Sequence, residues 1–122
     1  MSALTESLRQ VMAIEGARAA VLVDIATGMV VQSAGHEEAD LPAAAALIAE
    51  EAWAARTALG PDHLGGDLDE ITLFTAGRLH MYRILAARPG EGLVLFVDLD
   101  RAQVNPALAA QRLSRVAPAI LA

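Results

Sequence analysis

The strongest candidate for chemistry in the sequence is the run Leu95-Phe96-Val97-Asp98-Leu99-Asp100, where an apolar stretch ends in two aspartates one residue apart. Such a pair is suited to holding Mg²⁺ for phosphoryl chemistry, and haloacid-dehalogenase-type phosphatases open with this motif. In those enzymes the motif lies near the N-terminus, whereas here only 22 residues follow Asp100. Ala102 also stands where a Thr or Val is expected. We therefore interpret Asp98 and Asp100 as a polar strand end and turn.

The three histidines do not have the spacing of a metal site. His36 and His63 fall in expected loops, and His80 falls in an expected strand. A zinc or manganese site would need them to converge with aspartates elsewhere in the chain, and no local pattern requires this. The absence of Cys excludes a thiolate ligand, a disulfide and a cysteine nucleophile. We therefore expect neither a bound metal nor a cofactor.

Other catalytic and phosphate-binding patterns are missing as well. All nine basic residues are Arg, so the lysine of a Walker A motif cannot be present. No Gly-x-Gly-x-x-Gly or Gly-x-Ser-x-Gly occurs, and no base accompanies Tyr82 or the Ser and Thr residues in a recognisable arrangement. We predict that the chain is not an enzyme and that it acts by binding other proteins.

The charge balance argues against nucleic acid and membrane as partners. The formal net charge is −6 and the pI is near 4.9, whereas phosphate binding needs clustered cations. The arginines are scattered and form no basic stripe, which also disfavours an anionic membrane surface. No stretch approaches the roughly 18 apolar residues of a membrane span, and Glu6 stands where a signal peptide would carry bases. We expect a cytoplasmic protein.

The length of 122 residues fits one domain, residues 1–122. Hydrophobic residues make up 55% of the chain, and the mean hydropathy is +0.41, both high for a small soluble domain. Two interpretations stay open. Either some apolar surface is buried against a partner, or abundant Ala on exposed helix faces raises the index. The abundance of Ala and the absence of Lys indicate a GC-rich, bacterial genome.

Periodicity and turn residues predict the elements that position these residues, in the order α-β-β-α-β-β-β-α. A first amphipathic helix ends at Gly16, and strands 18–24 and 29–34 form a hairpin whose turn uses Gly28. A long helix begins after the cap Asp40 and stops at Gly60-Pro61, and the next three strands are 68–76, 79–87 and 93–97.

The last helix starts at Asn105-Pro106, a capping residue followed by a Pro at the first helical position, and Pro118 should kink or end it. Strands joined mainly by hairpins form an antiparallel sheet. The predicted fold class is therefore α/β (α+β), a five-stranded antiparallel sheet with helices on both faces.

Trp53, the only Trp of the chain, lies off the apolar stripe of the long helix. At about 100° per residue it points about 120° away from that stripe, beside Ala46 and Ala49. Small side chains let another protein approach closely, and Trp is enriched in binding hot spots. The alternative is a Trp packed under a loop as part of the core. We predict an interface that contains Trp53, Ala46 and Ala49, together with Leu73 on the third strand.

The order of elements and several local patterns resemble the roadblock/dynein-light-chain (roadblock/LC7) family, over roughly residues 4–117. The resemblance rests on a first helix that ends in Ile14-Glu15-Gly16, on the strand Ala19-Ala20-Val21-Leu22-Val23-Asp24, on the Gly28 turn with Met29-Val30-Val31, and on the small residues 43–46. It implies a roadblock/profilin-like fold whose sheets pair edge to edge across a two-fold axis, giving ten strands. The second helices of the two copies then lie together on one face.

The same resemblance implies a function. It indicates a non-catalytic homodimer that regulates or scaffolds a small Ras-like GTPase in bacterial signalling, and it brings no catalytic residue with it. A second interpretation is a small-molecule sensor or binding domain, because sheet-and-helix domains of this size also form ligand pockets.

Overall fold

The computed structural model describes residues 2–35, 40–58, 68–85 and 92–121. The helices are α1 Ala3–Met12, α2 Leu41–Ala58 and α3 Pro106–Leu121. The strands are β1 Ala17–Asp24, β2 Val30–Gly35, β3 Glu70–Phe74, β4 Arg78–Leu85 and β5 Leu93–Asp100. The predicted order of elements is confirmed. Within these residues no helix is both long and apolar enough to cross a bilayer.

The five strands form one sheet in the order β2-β1-β5-β4-β3, and every neighbouring pair is antiparallel. The inner strand β1, which lies between β2 and β5, contains the apolar run 19–23, all of it buried, as expected for a strand covered on both faces. β2 and β3 lie at the two edges of the sheet. The predicted five-stranded antiparallel sheet with helices on both faces is therefore confirmed.

Two hydrophobic layers lie on opposite faces of this sheet. The face covered by α1 and α3 buries the largest side chains, among them Leu8, Leu22, Leu79, Met81, Leu95, Leu99 and Leu113. The face covered by α2 is built on smaller ones, with Ala45, Ile48, Ala49 and Ala52 against Val21, Val23, Ile84 and Val94. The small side chains let α2 lie close to the sheet.

The ends of the helices are fixed by polar side chains. Asp40 Oδ1 accepts the backbone N–H of Ala43 at the start of α2, and Asn105 Oδ1 accepts that of Leu108 at the start of α3. Both residues were predicted as caps, and both predictions are confirmed. Gly28 has a φ of +75°, which confirms its predicted role in the β1–β2 turn.

Several predicted boundaries differ from the structure. α1 ends at Met12, before Gly16, and a turn joins it to β1. β3 is shorter than the predicted 68–76, and β5 continues past residue 97 because pairing with β4 extends through Asp100. α3 continues through Pro118. This proline is exposed in the last turn of the helix, where its missing N–H group costs only one hydrogen bond.

Other predictions fall on parts of the chain outside the described residues. These are the end of the long helix at Leu59 and Gly60-Pro61, the loop between the fourth and fifth strands, and the positions of His36 and His63.

Candidate functional site

A groove runs along one flank of α2, between the helix and the β1–β2 turn. The turn contributes residues 25–28, and the helix contributes Ala46, Ala49, Glu50 and Trp53. The Trp53 side chain is 54% exposed, so it is not part of the hydrophobic core. Its large apolar ring stands at the surface of a concave region, as at binding hot spots in protein interfaces. We call this region the Trp53 groove.

The β1–β2 turn that forms one wall of the Trp53 groove is fixed by its own hydrogen bonds. Asp24 Oδ1 accepts the backbone N–H groups of Ala26 and Thr27 at 2.9 and 3.2 Å. The N–H of Gly28 donates to the Asp24 carbonyl at 2.8 Å. A Cβ atom on Gly28 would lie 3.5 Å from Ala46 Cα, so the turn approaches α2 closely. The wall is therefore formed before any partner binds.

A second apolar surface lies on the other flank of α2, towards β3. Leu47 of α2 and Leu73 of β3 are 57% and 44% exposed. Between them, Phe96 and Tyr82 line a cleft together with His80, which pairs with Leu73 in the sheet. The two aromatic rings meet edge to face with centroids 5.1 Å apart. We call Leu47, Leu73, Tyr82 and Phe96 the β3 surface.

A hydrogen bond joins α2 to the floor of the β3 surface. The Tyr82 hydroxyl donates to Glu51 Oε2 at 2.7 Å. Burial raises the pKa of Tyr82 well above its usual value, and the hydrogen bond to Glu51 and the charge of Glu51 raise this pKa further. The hydroxyl therefore remains a neutral donor across the physiological range, and it holds α2 beside β4.

The aspartate pair at the end of β5 is engaged with protein groups. Asp98 is buried, and its carboxylate lies 2.8 Å from Arg78 Nη1, 3.2 Å from His80 Nε2 and 3.9 Å from Arg18 Nε. Asp100 Oδ1 accepts the backbone N–H of Ala102 in the turn that follows β5. These contacts match the interpretation of the pair as a polar strand end. In the described ranges no three His, Asp or Glu side chains cluster as metal ligands would.

The structure separates the four predicted interface residues. Trp53, Ala46 and Ala49 meet in the Trp53 groove, whereas Leu73 lies on the opposite flank of α2, in the β3 surface. Ala49 is only 4% exposed because it packs on the sheet, so its placement on an exposed helix face was wrong. It can meet a partner only from inside the groove.

Comparison with solved structures identifies the fold. MglB from Myxococcus xanthus superimposes with a TM-score of 0.82 and 18% sequence identity, over 97% of this chain and 84% of that chain. The roadblock/LC7 domain from Streptomyces avermitilis gives a TM-score of 0.76 at 17% identity, over 97% of this chain and 91% of that one. A structure described as MglB with a tetrameric arrangement gives 0.78 at 20% identity, over 96% and 84%. The chain has the roadblock/LC7 fold. No family model and no curated protein sequence matches it.

Within this roadblock/LC7 fold, two exposed features were not found from the sequence. Leu47 is exposed and points about 120° away from the predicted apolar stripe of α2, on the side opposite Trp53, so a helical projection would have shown it as an unexplained apolar residue. Phe74 carries the Arg101 guanidinium 4.9 Å from its ring centroid. Phe74 and Arg101 are far apart in the sequence, and only the pairing of β4 with both β3 and β5 brings them together.

Proposed function

We propose that the chain is a non-catalytic interaction module of the bacterial cytoplasm that forms a homodimer and regulates or scaffolds a small Ras-like GTPase. The observation that carries the proposal is the presence of two separate exposed apolar surfaces on opposite flanks of α2. Monomeric soluble domains seldom leave such patches open unless they bind something. The roadblock/LC7 fold supports the same interpretation, since the family resemblance implies both self-association and a GTPase partner.

Self-association is assigned to the β3 surface. β3 is an edge strand whose residues 72–74 are all exposed, and an unpaired edge is a template for another strand. Two-fold pairing of β3 with β3 of a second copy would extend the sheet to ten strands and place both α2 helices on one face. Leu47 and Leu73 would then lose solvent contact. Among the similar structures, one MglB is described with a tetrameric arrangement, which supports self-association.

GTPase docking is assigned to the Trp53 groove. This groove lies on the flank of α2 away from β3, so it stays open when two copies pair through β3. Hydrogen bonds hold the turn that forms one wall, and the exposed Trp53 side chain offers a large apolar contact. The assignment to a small GTPase rests on the family resemblance.

The test is a pull-down of a small Ras-like GTPase from the same genome, loaded with GDP or with a non-hydrolysable GTP analogue. We expect binding that differs between the two nucleotide states, because a regulator must distinguish them. Sedimentation of the chain alone measures the dimer separately. Absence of binding in both nucleotide states would contradict the GTPase assignment, and a monomer at every concentration would contradict the dimer.

The Trp53 groove also supports a second candidate function, a small-molecule binding domain. Its volume of about 520 Å³ lies within the range of ligand pockets, roughly 300–1,000 Å³. A ligand that binds only the folded state raises the melting temperature, so a thermal-shift screen against a metabolite panel tests this candidate. A hit whose shift is lost in Trp53→Ala would favour it over GTPase docking.

A further inference from the structure

Opposite charges lie beside the two ends of the edge strand β3. Asp69 and Glu70 lie at its start, and Asp69 is exposed. At its end, the Arg101 guanidinium lies over the ring of Phe74 and donates through Nη1 to the Thr75 carbonyl at 2.8 Å. An edge with an acidic start and a basic end is complementary to itself when a second copy runs in the opposite direction.

Glu70 and Arg101 are incompletely paired within one chain. Glu70 Oε1 is buried and has no hydrogen-bond donor among the described residues, although Arg83 stands opposite Glu70 in the β3–β4 register. Arg101 takes part in none of the ion pairs formed in the described part of the chain. Within the described residues, therefore, neither the Glu70 carboxylate nor the Arg101 guanidinium has a counter-charge in an ion pair.

Both groups lie on the same face of the sheet. Glu70 and Phe74 pair with Arg83 and Leu79 of β4, and Leu79 points into the layer covered by α1 and α3. Because alternate residues of a strand share a face, Glu70, Thr72 and Phe74 all lie on that side. Arg101 reaches the same side through its stacking on Phe74.

Two-fold pairing of β3 with itself, which rests on the proposed function, fixes what these groups meet. A two-fold axis that keeps both α2 helices on one face makes the two strands antiparallel. The register that pairs all five residues of β3 is centred on Thr72 and sets Glu70 opposite the partner's Phe74. Directly opposite residues have Cβ atoms about 5 Å apart, so the Glu70 carboxylate comes beside the guanidinium of the partner's Arg101.

We infer that Glu70 of each copy forms an ion pair with the partner's Arg101, and that this reciprocal pair selects the register of the dimer. A slip of two residues would set Glu70 opposite the partner's Thr72 and separate the charges. On the other face, the centred register sets Leu73 opposite the partner's Ile71. The apolar contacts on that face stabilise the dimer, and the two ion pairs favour the centred register over the slipped ones.

A charge exchange tests this inference. In Glu70→Arg homodimers, two arginines face each other twice, and in Arg101→Glu homodimers two glutamates do so. We expect each variant to dimerise about tenfold more weakly than the original chain at about 50 mM salt. Mixing the two variants creates two opposite-charge contacts, so the heterodimer should recover most of the lost affinity. At about 500 mM salt the differences should shrink, because exposed charges are screened.

Arg115→Glu is the matched control, since it makes the same charge change on an exposed position of α3. It should leave the dimer constant unchanged. If both variants weaken the dimer and the mixture does not recover, or if neither weakens it, the ion pair is overturned while the dimer itself stands. If the original chain does not dimerise, the proposed function fails instead. Should Glu70→Arg fail to fold, Glu70→Gln with a loss of salt dependence takes its place.

Discussion

The two edges of the sheet differ in how much of them the rest of the chain covers. β2 lies between α1 on one face and α2 on the other, and the Gln32 amide donates to the Thr5 hydroxyl of α1 at 2.9 Å. β3 is the one strand of the described sheet without an extensive helix contact. Both edges present backbone groups that could pair with another strand. The helices therefore support the β2 edge of the sheet and leave the β3 edge with little helix contact.

The backbone of β2 is irregular, whereas that of β3 is regular. The register of β2 with β1 shifts between Leu22 and Val23, whereas β3 pairs with β4 without interruption over all five residues. β2 also ends at Gly35, whose φ is +95°. Bulges and unusual backbone geometry twist an edge and hinder further pairing. A regular edge such as β3 is the better template for a second copy.

The largest effect is expected at the β2 edge of the sheet. In Gly35→Ala, the new Cβ would clash with the Arg18 carbonyl and lie 2.8 Å from Ala19 Cα, at a φ that L-residues rarely adopt. We expect a loss of about 3 kcal/mol or more in the free energy of unfolding, measured by chemical denaturation. The matched control is Gly77→Ala in the β3–β4 turn, where a Cβ meets nothing within 4 Å. A similar loss in both variants would mean that Gly35 does not hold the β2 edge.

The next effect separates the two edges as sites of self-association. Leu73→Glu places a charge twice in the proposed β3–β3 interface, and we expect the dimer to weaken by about a hundredfold. Val31→Glu makes the same change on β2, at a side chain of nearly equal exposure, 47% against 44%. It should leave sedimentation unchanged. If Val31→Glu dissociates the dimer and Leu73→Glu does not, the wrong edge has been assigned.

Trp53→Ala tests whether the groove on the β2 side serves a different partner from the β3 edge. We expect GTPase binding to weaken by about tenfold or more, while self-association and circular dichroism stay unchanged. Leu108→Ala on α3 removes another exposed apolar side chain and is the control. A weaker dimer in Trp53→Ala would show that the two surfaces are not independent.

The smallest effect concerns the hydrogen bond between α2 and the β3 side of the sheet. Tyr82→Phe removes the donor to Glu51 and should cost about 1 kcal/mol at neutral pH. The pKa of Tyr82 is raised above the unfolded value of about 10. Its contribution is therefore fully present below about pH 10 and is lost as the pH rises towards the folded pKa.

The pH dependence above about pH 9 can be assigned to Tyr82, because the other side chains that usually titrate near pH 10 are missing from the chain. Tyr82 is the only Tyr, and the chain has neither Lys nor Cys. Denaturation of the original chain between about pH 9 and 11.5 should show stability falling above about pH 10, and Tyr82→Phe should lack that fall. Tyrosinate absorbance over the same range reports whether Tyr82 stays protonated in the folded chain. An identical pH dependence in both chains would refute the role of the hydroxyl.

The sequence predicted the local features of the fold and missed the long-range ones. Asp40, Asn105 and Gly28 act within a few residues of their own position, so composition and spacing were enough to place them. The pairing of β1 with β5 joins strands about 75 residues apart, and no local pattern encodes it. The predicted exposure of Ala49 was wrong for a related reason. The width of the contact between α2 and the sheet, which buries Ala49, depends on that long-range pairing.

The candidate site was predicted in part. Trp53 stood out because a large aromatic residue off an apolar stripe is unusual, and it is exposed. Leu73 was selected as a residue of the third strand, but its distance from Trp53 depends on the strand order. The pairing of Glu70 and Arg101 requires a second copy and cannot be read from the spacing of one chain.

The difference between the two edges also has a consequence for the size of the proposed assembly. A sheet with two open edges can add copies head to tail without end, which leads to fibres. In the proposed dimer, β3 of one copy pairs with β3 of the other, and the shifted register and Gly35 of β2 hinder further pairing at the remaining edges. Growth of the proposed dimer through the sheet would therefore be disfavoured beyond two copies, and a larger complex would be built through side-chain surfaces such as the Trp53 groove.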